Sequence, residues 1–272
     1  ADTMAKQLTA SLHPIQIVWT RQAGLFAVTL VLLLVHGPRL LRTAFPVFQV
    51  VRGTVAVLSA VCFVFAVRRV PLADAVAVSF VAPLMVTVMG AVFLREYVSP
   101  RRWVVIRLGF LGAMIIIRPG MGVFHPAIFL VLIAATLFSV RQVLSRRLAG
   151  MDSTMTTLTY TAITSFALLS VPLPFVWQPP ESMTTWALLG GVALFAGIAE
   201  VLVIRAFEVA EAVVVAPMHY SLIIWATLFG WLVFGQLPDF WTWFGTTIIM
   251  STGLYLIWRE WAALRSRRRK GV

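Results

Sequence analysis

The chain has 272 residues, 60% of them hydrophobic and 12% charged, with a mean hydropathy of +0.93 and a formal net charge of +12. Those proportions exclude an ordinary soluble domain. With no soluble basic domain to carry nucleic acid, the positive charge reads as an orientation signal for a polytopic membrane protein.

A crossing needs about 20 residues and a short turn, so roughly ten fit. Apolar runs between breakers predict helices over 15–36, 46–69, 72–94, 101–118, 124–149, 153–176, 183–208, 210–235 and 239–260. Gly37-Pro38, Ser99-Pro100, Arg118-Pro119-Gly120 and Gln178-Pro179-Pro180 punctuate these runs, as turn-forming residues should. The joints are short and no linker or low-complexity tract interrupts them, so one membrane domain is expected. Cys62, the sole cysteine, lies inside an apolar run. It has no intrachain disulfide partner and reads as a small core residue.

Ionisable and polar groups inside these spans are the functional candidates, because lipid penalises them. Arg52 in the second span and Glu200 in the seventh lie at similar depths from the same end, Glu200 about eight residues or roughly 12 Å in. An Arg52–Glu200 pair is therefore expected, either as a structural tie or as a substrate-binding or gating element. Ser79, Phe80 and Pro83 fall in the 72–94 span. Pro217, His219, Tyr220 and Trp225 fall in the 210–235 span. Proline removes a backbone donor and kinks a helix, so both places suit a wet cavity. Trp225 reads equally as a cavity wall or as a packing or interfacial residue. Thr136, Ser139 and Gln142 form a small-polar stripe, suited to packing or to lining. Arg141 and Arg107 are expected to snorkel toward the cytoplasmic face, and Arg21 toward the outside.

The chain also resembles itself. Met4-Ala5-Lys6-Gln7-Leu8 aligns with Leu144-Ser145-Arg146-Arg147-Leu148, and the same offset puts Trp103 on Trp243 and Phe93-Leu94-Arg95-Glu96 on Val233-Phe234-Gly235-Gln236. Internal duplication in so apolar a chain marks secondary transporters, whose sites lie between repeats near mid-bilayer. By this alignment the first repeat lacks about sixteen residues at its start, most of one span, so a truncated first helix of a ten-helix protein is expected. The alternative is an interfacial N-terminal stub on nine helices. No basic and apolar regions of a cleavable signal open the chain.

Arg39, Arg42, Arg95, Arg101, Arg102, Arg146, Arg147 and the tail from Arg265 to Lys270 fall at joints on one side, against Arg68, Arg69 and Arg118 on the other. The richer side, with the C-terminus, is expected in the cytoplasm. Five spans per repeat then put the second repeat upside down relative to the first, the geometry of alternating access.

Arg52, Val70-Pro71-Leu72-Ala73-Asp74-Ala75, Phe80-Val81-Ala82-Pro83-Leu84, Leu94-Arg95-Glu96, Gly109-Phe110-Leu111-Gly112 and Arg118-Pro119-Gly120 resemble the first repeat of the drug/metabolite transporter superfamily, EamA type. Ala216-Pro217 with Tyr220, Phe234-Gly235-Gln236-Leu237-Pro238-Asp239 and Gly253-Leu254-Tyr255 resemble the second. The resemblance implies an all-α integral membrane protein of ten helices in two inverted five-helix repeats: 1–118, 124–260 and then a basic cytoplasmic tail, 261–272. It also implies a central cavity and export of amino acids or related metabolites, with similarity to YddG-like amino-acid exporters and to S-adenosylmethionine importers. Gln236 stands where the second repeat usually has Glu; it keeps the hydrogen-bonding capacity but not the charge.

The expected partners are a small-molecule substrate and the bilayer of a bacterial inner membrane, with protons open as the coupling ion, no nucleic acid, and a monomer as the expected state. No metal or organic cofactor is implied. Zinc, nucleophile-elbow and P-loop motifs are absent from the sequence. A membrane-embedded enzyme acting on lipid, or a structural or receptor role, remains as the alternative of another class; neither needs the duplication.

Overall fold

The computed structural model describes residues 1–95, 97–118, 125–148, 151–209 and 216–269, and every regular element among them is helical. In chain order these are α1 (Asp2–Leu8), α2 (Pro14–His36), α3 (Pro46–Val67), α4 (Leu72–Ser79), α5 (Ala82–Phe93), α6 (Pro100–Ile117), α7 (Ile128–Leu148), α8 (Thr154–Ser170), α9 (Leu173–Val176), α10 (Met183–Val209), α11 (Leu222–Phe234) and α12 (Phe240–Arg269), with 3-10 turns at Pro38–Leu41 and Ala216–Ser221. By length and apolar composition, five segments are able to cross a membrane: Pro14–His36, Pro46–Val67, Leu72–Phe93, Ile128–Leu148 and Met183–Leu202. Met218–Phe234 is a shorter apolar helix.

Local chemistry sets the helix ends. Pro14, Pro46 and Pro100 each begin a helix, where the missing N–H has no intrahelical partner to lose. Ser153 accepts from the Thr156 amide at the start of α8, and Asp239 from the Thr242 amide at the start of α12. Gly37 and Gly235 close α2 and α11 at φ 73° and 64°, a region glycine enters without steric penalty.

Several boundaries differ from the sequence expectation. The 72–94 run is two helices, α4 and α5, because Pro83 cannot donate to the Ser79 carbonyl and the backbone tightens around Phe80 and Val81, whose amides bond to Ala77 and Val78 three residues back. The 153–176 run divides at Val171–Pro172 for the same reason. The 210–235 run begins, within the described residues, as a 3-10 turn; residues 210–215 lie outside them, as do Glu96, Pro119, Gly120 and Lys270. The last helix continues through Arg269, past the expected end at 260.

The helices pack in a recurring set of pairs. α1 lies on α10 and α7 on α3; α2 lies on α10 and α8 on α3; α1 touches α11 and α7 touches α5. Three further pairs, α2–α8, α4–α11 and α6–α12, join the two parts of the chain. Close approach of backbones makes some of these contacts possible. A Cβ built on Gly24 of α2 would lie 2.0 Å from the Ala193 carbonyl oxygen of α10, and one on Gly245 of α12 would lie 2.5 Å from the Gly112 oxygen of α6. Two apolar cores result. One joins α4, α5, α6, α7, α11 and α12 with the end of α3, and wholly encloses Leu84, Ile106 and Ile249; the other joins α1, α2, α3, α8 and α10 around Leu8, Ile17 and Val57.

Candidate functional site

The two interrupted helices meet at their breaks. Val81 precedes α5 and Ser221 precedes α11, and the residues just before them, Phe80 and Tyr220, pack ring on ring with centroids 5.1 Å apart at 54°. Both are buried. Tyr220 also lies against α12, where a Cβ on Gly253 would fall 1.7 Å from its hydroxyl oxygen. That hydroxyl has no hydrogen-bond partner among the described residues. Next to the break, Ser79 bonds back to the Val76 carbonyl at 2.7 Å, and Pro83 opens α5. Pro217 lies within the 3-10 turn that leads into α11.

The expected Arg52–Glu200 ion pair does not form. The ion pairs among the described residues are Arg21–Asp2 and Arg118–Asp239. Arg52 is buried and donates instead to Ser145 Oγ at 2.6 Å, to the Thr157 carbonyl at 3.4 Å and to Thr161 Oγ1. Hydroxyls of α7 and α8 thus take the role foreseen for the carboxylate. Glu200, half-buried, keeps Arg52 and Arg141 within electrostatic range.

Arg141 departs further from expectation. Rather than running toward the end of α7, its guanidinium lies over the Phe138 ring, 4.8 Å from the centroid and one turn back. Its Nε is buried and unpartnered among the described residues. Arg21 pairs with Asp2 of α1 at 3.3 Å, with both side chains partly exposed. His219 is exposed and lies within electrostatic range of Arg141 and Asp2. Arg52, Arg141, Glu200 and His219 therefore form one charged group drawn from α3, α7, α10 and the turn before α11. Arg141 was missed as a member. Phe138, three residues before Arg141 on the same helix face, was the available signal.

The small-polar stripe divides. Ser139 is fully buried and donates to the Ala82 carbonyl at 3.0 Å, and Thr136 Oγ1 lies 3.3 Å from Met85 Sδ. Both contacts join α7 to α5. Gln142 is half-buried. Trp225 stacks on Phe229 and is 52% exposed, on the side of α11 away from its buried residues Ile223, Ala226 and Gly230; it stands apart from the charged group.

A second polar set lies at one end of the bundle. Lys6 donates to the Val70 carbonyl at 2.8 Å and to Gln236 Oε1 at 3.0 Å, with its ammonium 5.0 Å from the centre of the Phe234 ring. Beside it is a cleft of about 590 Å³ lined in part by Lys6, Thr9, Arg68 and Arg69. Arg118, left-handed at φ 46°, pairs with Asp239. Burial alone would raise the Asp239 carboxyl, but the Thr242 amide and the Arg118 guanidinium outweigh it and hold the group below the usual carboxylate range. Among the described residues no group of three or more His, Cys, Asp or Glu side chains is placed to hold a metal ion.

The model of the EamA-like transporter family matches residues 1–118 and 125–259. The chain is 26% identical to an S-adenosylmethionine uptake transporter of Rickettsia prowazekii, over 98% of this chain and 90% of the relative. It is 34% identical to a riboflavin transporter of Vibrio cholerae over 75% and 67% of the two chains, and 27% identical to the pseudopaline exporter CntI of Pseudomonas aeruginosa over 92% and 88%. A solved crystal structure with 19% identity shares the fold, with a TM-score of 0.64 over 97% of this chain and 92% of its own. The chain belongs to the EamA-like transporter family, and is a multi-pass membrane transporter of small molecules.

Proposed function

We propose, on the premise of that family membership, that the protein is a bacterial inner-membrane carrier that exports amino acids or related metabolites by alternating access between two inverted five-helix repeats, 1–118 and 124–260. The carrying observation is the contact of Phe80 with Tyr220. The offset that brings Trp103 onto Trp243 brings Phe80 onto Tyr220, and a residue that touches its own counterpart belongs on the axis relating two halves. The packing pairs support the same reading: under that offset α1–α10 corresponds to α7–α3, α2–α10 to α8–α3, and α1–α11 to α7–α5.

In this mechanism the interrupted helices flex at Phe80 and Tyr220 while the substrate sits among Ser79, Glu200, Arg141 and His219. Arg52 anchors α3 to α7 and α8 through its three oxygen partners. Thr136, Ser139 and Pro83 hold α5 on α7, and Gln142 flanks the path. Protons are the proposed coupling ion, with Glu200 as their carrier. The basic end of the bundle and the C-terminus face the cytoplasm. With Cys62 replaced by Ala, a cysteine at Ser266 should resist an impermeant thiol reagent in intact cells while one at Gln178 reacts; the reverse pattern overturns this orientation.

A second reading, uptake of S-adenosylmethionine, rests on the relatives that match nearly the whole chain. Counterflow in proteoliposomes against amino acids, S-adenosylmethionine and riboflavin decides between them. Absence of flux for every compound would overturn the transport reading for these substrate classes.

A further inference from the structure

Among the described residues, the arginines in and beside the charged group are held by protein oxygens, with one exception. Arg21 has Asp2, and Arg52 has two hydroxyls and a carbonyl. Arg141 has the face of Phe138 behind it, a buried Nε without a hydrogen-bond partner among the described residues, and Glu200 at a distance too great for an ion pair within 4 Å. An unpaired guanidinium inside a membrane bundle is expensive and is kept where a ligand completes it. Its planar fork of donors matches a two-oxygen anion.

We infer that Arg141 binds a carboxylate of the transported molecule. This rests on the transport reading above and names the substrate chemistry of the same site. Glu200, in range of Arg141 and without an ion-pair partner among the described residues, faces an ammonium when the substrate has one. A substrate without a carboxylate leaves Arg141 bare and is disfavoured.

The test is counterflow in proteoliposomes of the full chain. Leucine, aspartate and S-adenosylmethionine are compared with their methyl esters, and riboflavin serves as the carboxylate-free compound. The wild type should carry the preferred acid at least tenfold faster than its ester. Arg141→Gln should lose at least tenfold in acid flux per folded molecule and bring the acid-to-ester ratio close to one, while Arg141→Lys keeps part of the preference. Because no oxygen among the described residues holds Arg141, Arg141→Gln without substrate should melt no lower than the wild type, whereas a structural role predicts a lower melting temperature. An acid-to-ester ratio unchanged in Arg141→Gln overturns the inference, as does riboflavin carried in preference to every acid; both leave the transport reading standing. Should Arg141→Gln fail to fold, a structural role is indicated, and the inference survives only if the wild-type ester preference holds and Arg141→Lys weakens it. No flux for any compound overturns the transport reading and the inference together.

Discussion

Lys6 Nζ lies 3.0 Å from Gln236 Oε1, so the first helix of the chain is fastened to the residue that follows the end of α11. The same ammonium holds the Val70 carbonyl at 2.8 Å, and one side chain thereby ties three segments at one end of the bundle. A closure of this kind must loosen whenever that end opens. Gln236→Glu turns the contact into an ion pair at a partly exposed position, worth about 0.2–1 kcal/mol. The variant should melt slightly higher and exchange substrate up to about fivefold more slowly, since 1.4 kcal/mol is a factor of ten. Higher stability with unchanged exchange would show that the contact stays closed through the transport cycle.

The Arg118–Asp239 pair gives stability a pH dependence of definite sign. A carboxyl held below its ordinary value in the folded state adds stability that is complete above that ordinary value, near pH 3.9, and is lost as pH falls through the folded value. The melting temperature of the wild type in detergent should therefore fall more steeply below about pH 4 than that of Asp239→Asn. Both partners keep some exposure, so molar salt should narrow the difference. Parallel pH profiles for the two proteins would remove Asp239 from the acid sensitivity.

Tyr220 and Gly253 make a falsifiable packing pair. A methyl group at 253 would meet the Tyr220 hydroxyl at 1.7 Å and its ring carbon Cζ at 2.8 Å, so Gly253→Ala should cost about 1–3 kcal/mol through overpacking. Tyr220→Phe removes a buried hydroxyl that has no partner among the described residues and should be neutral or stabilising. The double variant should recover part of the loss, a coupling that thermal melts of all four proteins measure. Strict additivity would mean that the ring does not press on α12.

Much of this architecture was legible in the sequence, because apolar runs of membrane length and their Pro and Gly breakers act locally. Even the cause of the α4–α5 break was legible in Pro83, though the break itself falls earlier, at Phe80 and Val81, where the lost bond to the Ser79 carbonyl tightens the turn. Partners across helices were not legible. Arg52 and Glu200 lie at matching depths, but Ser145, Thr157 and Thr161 outcompete the carboxylate, and nothing in the spacing announces which hydroxyls face α3. Arg141 was misjudged because distance to the helix end favours snorkelling, while the aromatic face one turn back draws the guanidinium inward.

The remaining prediction separates transport chemistry from scaffolding at Glu200 and His219. Neither forms an ion pair among the described residues, yet both lie in electrostatic range of Arg141. If they line the substrate path, Glu200→Gln or His219→Ala should lower flux at least about tenfold per folded molecule, about 1.4 kcal/mol in a barrier, with membrane insertion intact. Because Arg52 draws its hydrogen bonds from Ser145, Thr157 and Thr161, Glu200→Gln should cost little thermal stability. A structural role predicts the opposite division, a lower melting temperature with normal flux from the surviving folded protein. Coupling is tested in the same variant: with Glu200 as proton carrier, the substrate flux that remains in Glu200→Gln no longer responds to a pH gradient. An undiminished pH-driven signal would take Glu200 out of the coupling step, and wild-type flux in both variants would remove both residues from the path.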